Sequence, residues 1–451
     1  MPSLCQQSQS KPEGTLVALQ RPVQDVSFRR PLTHGVGRLV VIDDYSLARG
    51  GATALALACA KGMRAANIPV VYLCGDEGDN EELRTLGIEV VALGQKDLLH
   101  TSRMRAFTVG LHNLAARHLI EQWIARFDDE RTVYHVHGWS KILSPSIFAA
   151  LKPVARRCVI HAHDFFAACP NGSFYDYRRN VICERRPLSS SCVLARCDKR
   201  SYAQKLWRVA RGSSVAAGLS GEPDFAKIVL LHPQMVEFFV RSGYDENRLT
   251  TIRNPAGAFT TERICAEAND EFVFIGRLDE EKGIEDVLTA VEKSGVRLKV
   301  IGDGPLIERV RASTGDVKAT GWLSHAEIAG TISSARALVM GSRYPEPFGM
   351  VAIEAAKSGL PVILPKSAFL AGEMTAAGFA ISCDTRDADA FAHVLTDYAR
   401  FSETEVKGMS ERAYSLSPAF SLNHDTWCVA LQDEYHDILG REALVTIGRD
   451  R

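Results

Sequence analysis

Two cations lie five residues apart on a glycine-bounded turn in this 451-residue chain. Arg277 and Lys282 stand in the segment 276–283, directly after a short apolar run. A guanidinium can bind two phosphate oxygens at once and an ammonium acts as a point charge, so the two together can close on one diphosphate. The alternative is a solvated turn in which the lysine pairs with one of the two glutamates before it.

A pair of glutamates forms the second candidate site. Glu346 lies in a proline-rich loop, and Glu354 stands inside an apolar helical run that begins at Gly349. A carboxylate among apolar residues is costly unless it has polar partners. A ribose diol offers two donors to one carboxylate, so we predict that Glu354 binds such a diol; the alternative is that it caps a neighbouring loop. The amino end of the helix near Gly349 favours a phosphate group.

Glycines and histidines are the candidates in the N-terminal half. Gly50 and Gly51 open a helical stretch, where backbone N–H groups can approach a phosphate or an acceptor; a tight turn is the alternative. Two His-x-His pairs end apolar runs, namely His135 with His137 and His161 with His163. Residues i and i+2 of a strand share a face, so each pair could hold a metal. We expect instead that one member of each pair is buried while the other borders a cleft.

Four cysteines cluster in a loop-rich segment, at positions Cys169, Cys183, Cys192 and Cys197. Four thiolates could hold a structural zinc ion tetrahedrally. The spacing lacks paired C-x2-C knuckles, and ordinary unliganded thiols are the alternative.

The stretch 199–211 that follows is basic and amphipathic, with Tyr202, Leu206 and Val209 along one face. It predicts either contact with an anionic membrane or a surface helix that packs on its own domain.

An alternating α/β pattern positions these residues. Strands are predicted at 38–42, 70–73, 89–93, 133–136, 158–161, 227–231 and 249–252, then at 272–275, 297–301, 317–320, 337–340, 361–364 and 379–382. Helical stretches are predicted at 52–65, 107–127 and 420–439. Two such halves, facing each other across a cleft, would place ligands at the carboxyl ends of the strands.

The domain organisation that we predict has four parts. Residues 1–36 are a flexible leader, and 37–258 are an N-terminal Rossmann-like domain with a cysteine-rich insertion at about 168–214. Residues 259–415 are a C-terminal Rossmann-like domain. Residues 416–451 are a C-terminal helix that packs back on the N-terminal domain.

Composition narrows the class of protein. The formal net charge is -1, whereas a nucleic-acid-binding protein is usually strongly basic, so nucleic acid is not an expected partner. No apolar run approaches the roughly 18 residues of a membrane-spanning helix, and no signal peptide is recognisable. We therefore expect a cytoplasmic protein with reduced thiols, which could lie peripherally on the inner face of the membrane.

Several ordered motifs together resemble the retaining glycosyltransferases of family 4. They are the segments 276–283, 302–305, 321–327 and 346–359, and Glu346 and Glu354 match the E-x7-E signature of that family. The resemblance is strong over residues 231–363 and weaker back to residue 38. It implies a GT-B fold, in which two Rossmann-like domains face each other. It also implies that the C-terminal domain 259–415 is the nucleotide-sugar domain, which binds a nucleotide-diphosphate sugar as donor, and that the N-terminal domain 37–258 is the acceptor domain, for a glycan, lipid-linked or small-molecule acceptor. Retention of anomeric configuration is implied as well, with no metal or other cofactor in catalysis.

The resemblance also implies roles for individual residues. Arg277 and Lys282 would neutralise the leaving diphosphate, Glu346 would contact the transferred sugar, and the loop 321–323 would lie against the base. The predicted catalytic residues are Glu346, His163, Arg277 and Lys282. The predicted donor-binding residues are Arg277, Lys282, Leu323, Glu346, Phe348, Gly349 and Glu354, and the acceptor-side residues are Gly50, Gly51, His137, His163 and Asp164.

Three other functions remain open at this point. A metal-dependent transferase would need an Asp-x-Asp pair, and Asp387 with Asp389 is the obvious candidate, although both read as acids that start a helix. A nucleotide-sugar epimerase or a phosphorylase could use the same fold. A non-catalytic nucleotide-sugar binder is the third, and the joint presence of both cations and both glutamates argues against it.

Overall fold

The computed structural model describes residues 35–221 and 223–449, with side chains described up to residue 442. All but the last two residues of the predicted leader lie outside this range. The strands are β1 (Arg38–Asp43), β2 (Val70–Cys74), β3 (Glu89–Ala92), β4 (Thr132–Val136), β5 (Cys158–Ala162), β6 (Tyr175–Asp176), β7 (Val181–Ile182), β8 (Lys227–Leu230), β9 (Leu249–Thr251), β10 (Glu271–Ile275), β11 (Arg297–Ile301), β12 (Val317–Gly321), β13 (Ala335–Val339), β14 (Val362–Pro365) and β15 (Ala380–Cys383).

Helices alternate with these strands. They are α1 (Gly51–Ala65), α2 (Glu81–Thr85), α3 (Arg103–Leu111), α4 (Leu114–Phe127), α5 (Ser146–Ala150), α6 (Ser190–Leu194), α7 (Tyr202–Leu219), α8 (Met235–Arg241), α9 (Ile284–Ser294), α10 (Ile307–Arg311), α11 (His325–Thr331), α12 (Met350–Lys357), α13 (Ala371–Ala376), α14 (Ala388–Ala399), α15 (Glu403–Leu416) and α16 (His424–Arg449). Among the short 3-10 turns, Glu280–Lys282 is the one that matters for the site. Within the described residues, no helix is both long and apolar enough to cross a membrane.

Two parallel sheets organise the molecule. The first has the strand order β3-β2-β1-β4-β5-β8-β9, and the second has the order β12-β11-β10-β13-β14-β15. Their central strands are apolar and buried because helices cover both faces of each sheet. The direction of strand order reverses between β1 and β4 and again between β10 and β13, which opens a crevice at the carboxyl ends of those strands. The predicted α/β class is confirmed.

Three predicted elements differ in their extent. The stretch 107–127 is not one helix, because α3 ends at Leu111 and Asn113 caps α4 by accepting a hydrogen bond from the N–H of Ala116. The insertion predicted at 168–214 contains the antiparallel β6–β7 hairpin and α6, and α7 runs through its predicted end to Leu219. The last helix begins at His424 rather than at residue 420.

The C-terminal helix α16 lies against the first sheet's domain. Trp427, Leu431 and Tyr435 are buried in one apolar cluster with Leu55 and Met63 of α1. Such burial is worth roughly 1.5–3 kcal/mol for each large side chain. Helix α16 therefore crosses from the second sheet's domain to the first and couples the two.

Candidate active site

A cavity of about 280 Å³ lies where the carboxyl ends of the two sheets face each other. The first domain contributes Gly51, Leu55, His163 and Asp164 to its wall. The second domain contributes Gly276, Lys282, Ser342, Tyr344, Glu346, Phe348 and Gly349. A concave site with a few convergent polar groups between two domains is typical of a ligand-binding cleft.

An ion pair between Lys282 and Glu346 stands at the centre of the second domain's wall. The Nζ atom of Lys282 lies 2.8 Å from both carboxylate oxygens of Glu346 and 3.2 Å from the hydroxyl of Tyr344. Ser342 donates a hydrogen bond of 2.6 Å to the same carboxylate. Lys282 does not pair with Glu280 or Glu281, so the solvated-turn alternative is wrong.

The electrostatics of this pair hold both groups in their charged forms. Burial favours a higher pKa for Glu346, but the charge and hydrogen bond of Lys282, with the Ser342 hydroxyl, outweigh it and lower the pKa of the carboxyl. Desolvation favours a lower pKa for Lys282, and Glu346 reverses it, so the net pKa of the ammonium is raised. Lys282 keeps a positive charge at the cleft, with 29% of its side chain exposed.

A contact between two glycines makes this ion pair possible. Gly283 follows Lys282 with φ 65°, and a Cβ atom there would collide with the carbonyl oxygen of Gly341. A Cβ on Gly341 would in turn lie 2.6 Å from the carbonyl oxygen of Gly283. Only glycine allows this close approach of the 280–283 turn to the loop after β13. The loop carries Glu346 and the turn carries Lys282.

Arg277 lies apart from the cavity wall. Its side chain is 64% exposed and is ion-paired with Asp279 and, at 3.4 Å, with Glu281. Glu281 also accepts a hydrogen bond of 2.9 Å from the Tyr177 hydroxyl and another of 2.9 Å from Lys199 Nζ. Tyr177 and Lys199 belong to the first domain, so Glu281 joins the turn of the second domain to the opposite side of the cleft.

Glu354 and Leu323 also stand outside the cavity wall. Glu354 is half-buried in α12, and burial raises the pKa of its carboxyl to about 7, with Lys357 acting in the other direction. Leu323 packs partly against the apolar core at the end of β12. Phe348 is buried and lines the cavity.

Two helix amino termini meet at the cleft. Gly349 has φ 64° and precedes α12, while Gly51 begins α1. A Cβ atom on Gly51 would lie 3.7 Å from the sulfur of Met350, the first residue of α12. Gly50 caps α1 and is exposed. Both helix ends present unpaired N–H groups and partial positive charge, which suits an anionic ligand between them.

Four histidines at the carboxyl ends of β4 and β5 form a stack of rings: His135 and His161 lie in the strands, and His137 and His163 follow them directly. His163 lines the cavity, and its Nε2 lies 3.0 Å from Nδ1 of the buried His137. His161 Nδ1 lies 3.2 Å from Nε2 of His135, whose Nδ1 lies 2.7 Å from the Tyr435 hydroxyl. The expectation of one buried member per pair fits His161 and His163, but both His135 and His137 are buried.

Desolvation keeps the histidine rings neutral. It lowers the pKa of the partly exposed His163 to about 3 and the pKa of the three buried rings well below the ordinary value. Ring nitrogens of His137, His161 and His163 lie within 4.8 Å of one another. The rings of His161 and His163 are nearly parallel, at 6°, so their lone pairs run side by side rather than converging on one ion. This geometry favours a neutral stack over a metal site.

Asp164 lines the cavity beside His163. The residue is exposed to the cleft, and its carboxylate accepts a hydrogen bond of 2.8 Å from the N–H of Phe166. Desolvation by the surrounding protein raises the pKa of this carboxyl above its usual range.

Several polar groups near the cleft are not among the predicted residues. Ser342 and Tyr344 lie in the loop before Glu346, where the polar spacing around Glu346 is a signal that could have found them. Asp43 is the last residue of β1 and Asp44 follows it, and both are buried. Asp44 accepts three hydrogen bonds of 2.7–2.9 Å from the backbone N–H groups of residues 141–143. Two adjacent acids at the end of an apolar strand are the sequence feature that could have identified Asp43 and Asp44.

The Asp-x-Asp candidate has a structural role. The side chain of Asp387 caps α14 by accepting hydrogen bonds from the N–H groups of Asp389 and Ala390, and Asp389 is ion-paired with Lys293 at 2.5 Å. These acids start a helix, as the sequence indicates.

The family of the second domain follows from comparison with known proteins. Residues 265–414 match the sequence profile of the family Glycosyl transferases group 1. The matched segment contains the glycine contact, the Lys282–Glu346 pair and Glu354. Residues 265–414 form a group 1 glycosyltransferase domain.

One curated relative extends the match beyond the group 1 domain. A glycogen synthase of Mycobacterium tuberculosis is 29% identical over 266 residues, which are 53% of this chain and 61% of the relative. The chain thus matches less than two thirds of the length of that protein.

Solved structures show the fold across both domains. Sucrose-phosphate synthase from Thermosynechococcus elongatus superposes with a TM-score of 0.67 at 17% identity, covering 90% of this chain and 99% of that one. HepE of Anabaena, solved in complex with UDP, superposes with a TM-score of 0.60 at 16% identity, covering 88% and 98%. The predicted GT-B fold is confirmed.

Proposed function

We propose that this chain transfers a sugar from a nucleotide-diphosphate donor to an acceptor hydroxyl, with retention of configuration and without a catalytic metal ion. The observation that carries the proposal is the charged Lys282 beside Glu346, held at the amino end of α12 in a cleft that the first domain closes. Membership of residues 265–414 in the group 1 glycosyltransferases supports the same chemistry.

Lys282 and the amino end of α12 would stabilise the leaving diphosphate. Negative charge grows on that group as the anomeric bond breaks, and preorganised positive groups in a partly desolvated site lower the barrier most. Arg277 would join them by leaving its exposed ion pairs with Asp279 and Glu281. These protein groups supply the positive field that a divalent ion would otherwise supply, so we expect activity to survive EDTA.

Glu346, Phe348 and Gly349 would hold the transferred sugar and its phosphate, and Glu354 would accept hydrogen bonds from the ribose, with Leu323 near the base. On the first domain, His163 and Asp164 would orient the acceptor, supported by His137 and by the N–H groups at Gly50 and Gly51. His163 would act as a neutral ring, because desolvation at the cleft lowers its pKa to about 3.

The acceptor class that we propose is a glycan, a lipid-linked sugar or a small molecule, used at the cytoplasmic face of a membrane. Three cations of the 199–211 stretch are engaged within the protein, since Lys205 and Arg211 are buried and Arg208 pairs with Asp198 at 3.0 Å. Peripheral contact would instead use α3, where Met104 and Phe107 are 76% and 54% exposed. Co-sedimentation with anionic vesicles tests this, and a Met104→Ser/Phe107→Ser variant should bind less.

Donor binding is the first test of the function. A panel of nucleotide sugars is screened by thermal shift, because a ligand at 100 times its Kd adds about 2.7 kcal/mol to stability. The donor found is then offered with an acceptor panel, with and without EDTA, and the anomeric coupling of the product is read by NMR. An α-linked donor should give an α-linked product.

Other outcomes of the same assay would indicate one of the alternative functions. Conversion of the donor without an acceptor indicates an epimerase, and a dependence on inorganic phosphate indicates a phosphorylase. Binding without turnover indicates a nucleotide-sugar binder. Activity that requires added Mg²⁺ or Mn²⁺, or an inverted product, contradicts the proposed mechanism.

A further inference from the structure

An unbonded amide lies in the wall of the interdomain cavity. Asn254 follows β9, in the linker between the two domains, and it lines the same cavity as Lys282 and Glu346. Only 2% of the residue is exposed, and its Oδ1 is buried without a hydrogen-bond partner among the described residues. A buried polar side chain without a partner is uncommon in a folded protein and requires a reason.

The other buried asparagines of the described chain are fully bonded. In Asn80, Asn113 and Asn171, the amide oxygen accepts a hydrogen bond from a main-chain N–H and the amide nitrogen donates one to a main-chain carbonyl. Asn171 also contacts two cysteines of the insertion. No three of the four cysteine sulfurs predicted to hold zinc lie within 4.8 Å of one another, so the described residues form no zinc site there. Unlike these three asparagines, Asn254 has no structural task for its amide.

The main chain on both sides of the Asn254 side chain is fixed. The N–H of Leu422 donates a hydrogen bond of 3.3 Å to the carbonyl of Asn254, and the N–H of Ala256 donates one of 3.4 Å to the carbonyl of Leu422. The carbonyl of Ala256 in turn accepts a hydrogen bond of 2.6 Å from Lys357 at the end of α12. The amide is therefore held in place relative to α12, whose amino end faces the cavity, before any ligand arrives.

The chemistry of the amide selects the kind of group that it can bind. The buried Oδ1 needs a hydrogen-bond donor, and a phosphate or carboxylate oxygen only accepts, so neither can satisfy it. A hydroxyl group can donate to the amide oxygen and accept from the amide nitrogen. Leu55, Met350 and Val351 line the same cavity and offer no competing side-chain hydrogen bond to such a hydroxyl. The wall at Asn254 thus suits the hydroxyl of a sugar.

We propose that the Asn254 amide binds one hydroxyl of the transferred sugar and selects the donor by it. The inference rests on the proposed function. The sugar belongs to the donor rather than to the acceptor because the linker is bonded to α12, and the amino end of α12 is assigned to the phosphate of the donor. A sugar that lacks this hydroxyl leaves the amide unpaired in the closed cleft, and a site built on a hydrogen bond rejects such an analogue strongly.

Donor analogues that lack one hydroxyl test this role against Asn254→Ala. The probes are the UDP- or GDP-linked hexose that gives the largest thermal shift with wild type, its monodeoxy analogues, and the free nucleoside diphosphate. Wild type should bind one monodeoxy analogue at least about tenfold more weakly than the parent sugar nucleotide. Asn254→Ala should lose about the same factor on the parent and nothing further on that analogue, because the same hydrogen bond is removed twice. Its affinity for the nucleoside diphosphate should equal that of wild type.

Asn80→Ala is the matched control. Asn80 is a 5% exposed asparagine of the first domain, it does not line the cavity, and both of its amide atoms are bonded to the main chain. Asn80→Ala should lower the Tm and keep the wild-type preference among the analogues. Asn254→Ala should keep or raise the Tm of the ligand-free protein, because it removes an unpaired buried amide. In steady-state kinetics it should raise the KM for the donor and leave the KM for the acceptor unchanged.

Three results would overturn the inference. The first is a set of analogue affinities that falls in the same ratios in wild type and in Asn254→Ala, which would mean that the amide holds only a water molecule. The second is a loss of Tm in Asn254→Ala as large as that in Asn80→Ala, or a change in the KM for the acceptor alone. The third needs no variant: wild type binds every monodeoxy analogue as tightly as the parent. If no nucleotide sugar of the panel binds wild type, the proposed function fails and this inference fails with it.

Discussion

The charge on Glu346 is balanced inside the cleft by Lys282, and both carboxylate oxygens are used. We expect Lys282→Met to destabilise the chain and to cut turnover by roughly a hundredfold or more, since it removes the cation that faces the leaving group. Glu346→Gln should also reduce turnover severely. In a double-mutant cycle of unfolding free energies, the pair should couple by more than the ~1 kcal/mol of a surface ion pair.

A matched control for this prediction is Lys293→Met. Lys293 pairs with the 87% exposed Asp389 at 2.5 Å, far from the cavity wall. Its removal should leave turnover unchanged and shift stability by less than ~1 kcal/mol. Turnover of Lys282→Met close to that of Lys293→Met would contradict the role of Lys282.

The buried carboxyl of Asp43 should make the free energy of unfolding depend on pH. Burial, followed by the charge of Asp44, raises the pKa of this carboxyl from 3.8 to about 8. Between those values the folded protein holds a proton that the unfolded chain has lost, so its contribution to stability falls as pH rises. The slope is at most about 1.36 kcal/mol per pH unit. Asp43→Asn abolishes this titration while keeping a side-chain oxygen for the Tyr45 N–H and the Thr53 hydroxyl.

Urea unfolding across this pH window checks the prediction. The stability of Asp43→Asn relative to wild type should increase steadily as pH rises from 3.8 to 8. Asp389→Asn changes an exposed carboxyl and should show no such trend. A constant difference between Asp43→Asn and wild type would mean that this carboxyl is ionised throughout.

At the scale of elements, the contact between the 280–283 turn and the loop after β13 depends on Gly283. Gly283→Ala should cost far more than the ~1–2 kcal/mol of a left-handed conformation, because a Cβ atom also collides with Gly341. The displaced turn should carry Lys282 away from Glu346, so turnover should fall with stability. Chemical denaturation and steady-state kinetics measure the two effects.

Gly295 offers a close control for that substitution. It has φ 70°, similar to the 65° of Gly283, but nothing lies within 4 Å of a Cβ atom built there. Gly295→Ala should therefore show the conformational cost alone, about 1–2 kcal/mol, with normal turnover. Equal losses in the two variants would mean that the glycine contact does not position the site.

At the scale of the whole molecule, polar contacts hold the two domains together across the cleft. Tyr177 and Lys199 bond to Glu281, and His232 lies 2.9 Å from the carboxylate of Glu373 in α13. A Tyr177→Phe/Lys199→Ala variant should shift the population toward an open cleft. Its radius of gyration by small-angle scattering should increase, and the donor Kd should rise at least about fivefold.

The Lys293→Met variant again serves as the control, because its ion pair lies within one domain. It should show the wild-type radius of gyration and donor affinity. If the Tyr177→Phe/Lys199→Ala variant behaves in the same way, the contacts at Glu281 do not govern closure.

Much of the fold is determined by the sequence alone. Apolar runs separated by amphipathic helices predict both parallel sheets. A strand that is buried on both faces gives a short apolar run, and a helix that is buried on one face gives a 3.6-residue period, so both patterns can be recognised without long-range information. The sequence pattern does not reveal the helix break at Asn113, because a polar capping residue within a helical pattern resembles an ordinary solvent-exposed helix position. The motif around Glu346 and Glu354 likewise indicates the group 1 domain from residue types and spacing.

Only the tertiary structure decides which of these groups meet. Lys282 bonds to a carboxylate 64 residues away rather than to its neighbours, because a glycine contact brings two loops within van der Waals distance. Lys205 and Arg211 belong to a stretch that looks like a charged surface, and both are buried. Local periodicity encodes which residues are shielded from water. The partner that compensates a shielded charge depends on loop geometry and on the approach of distant segments, which no short window of sequence contains.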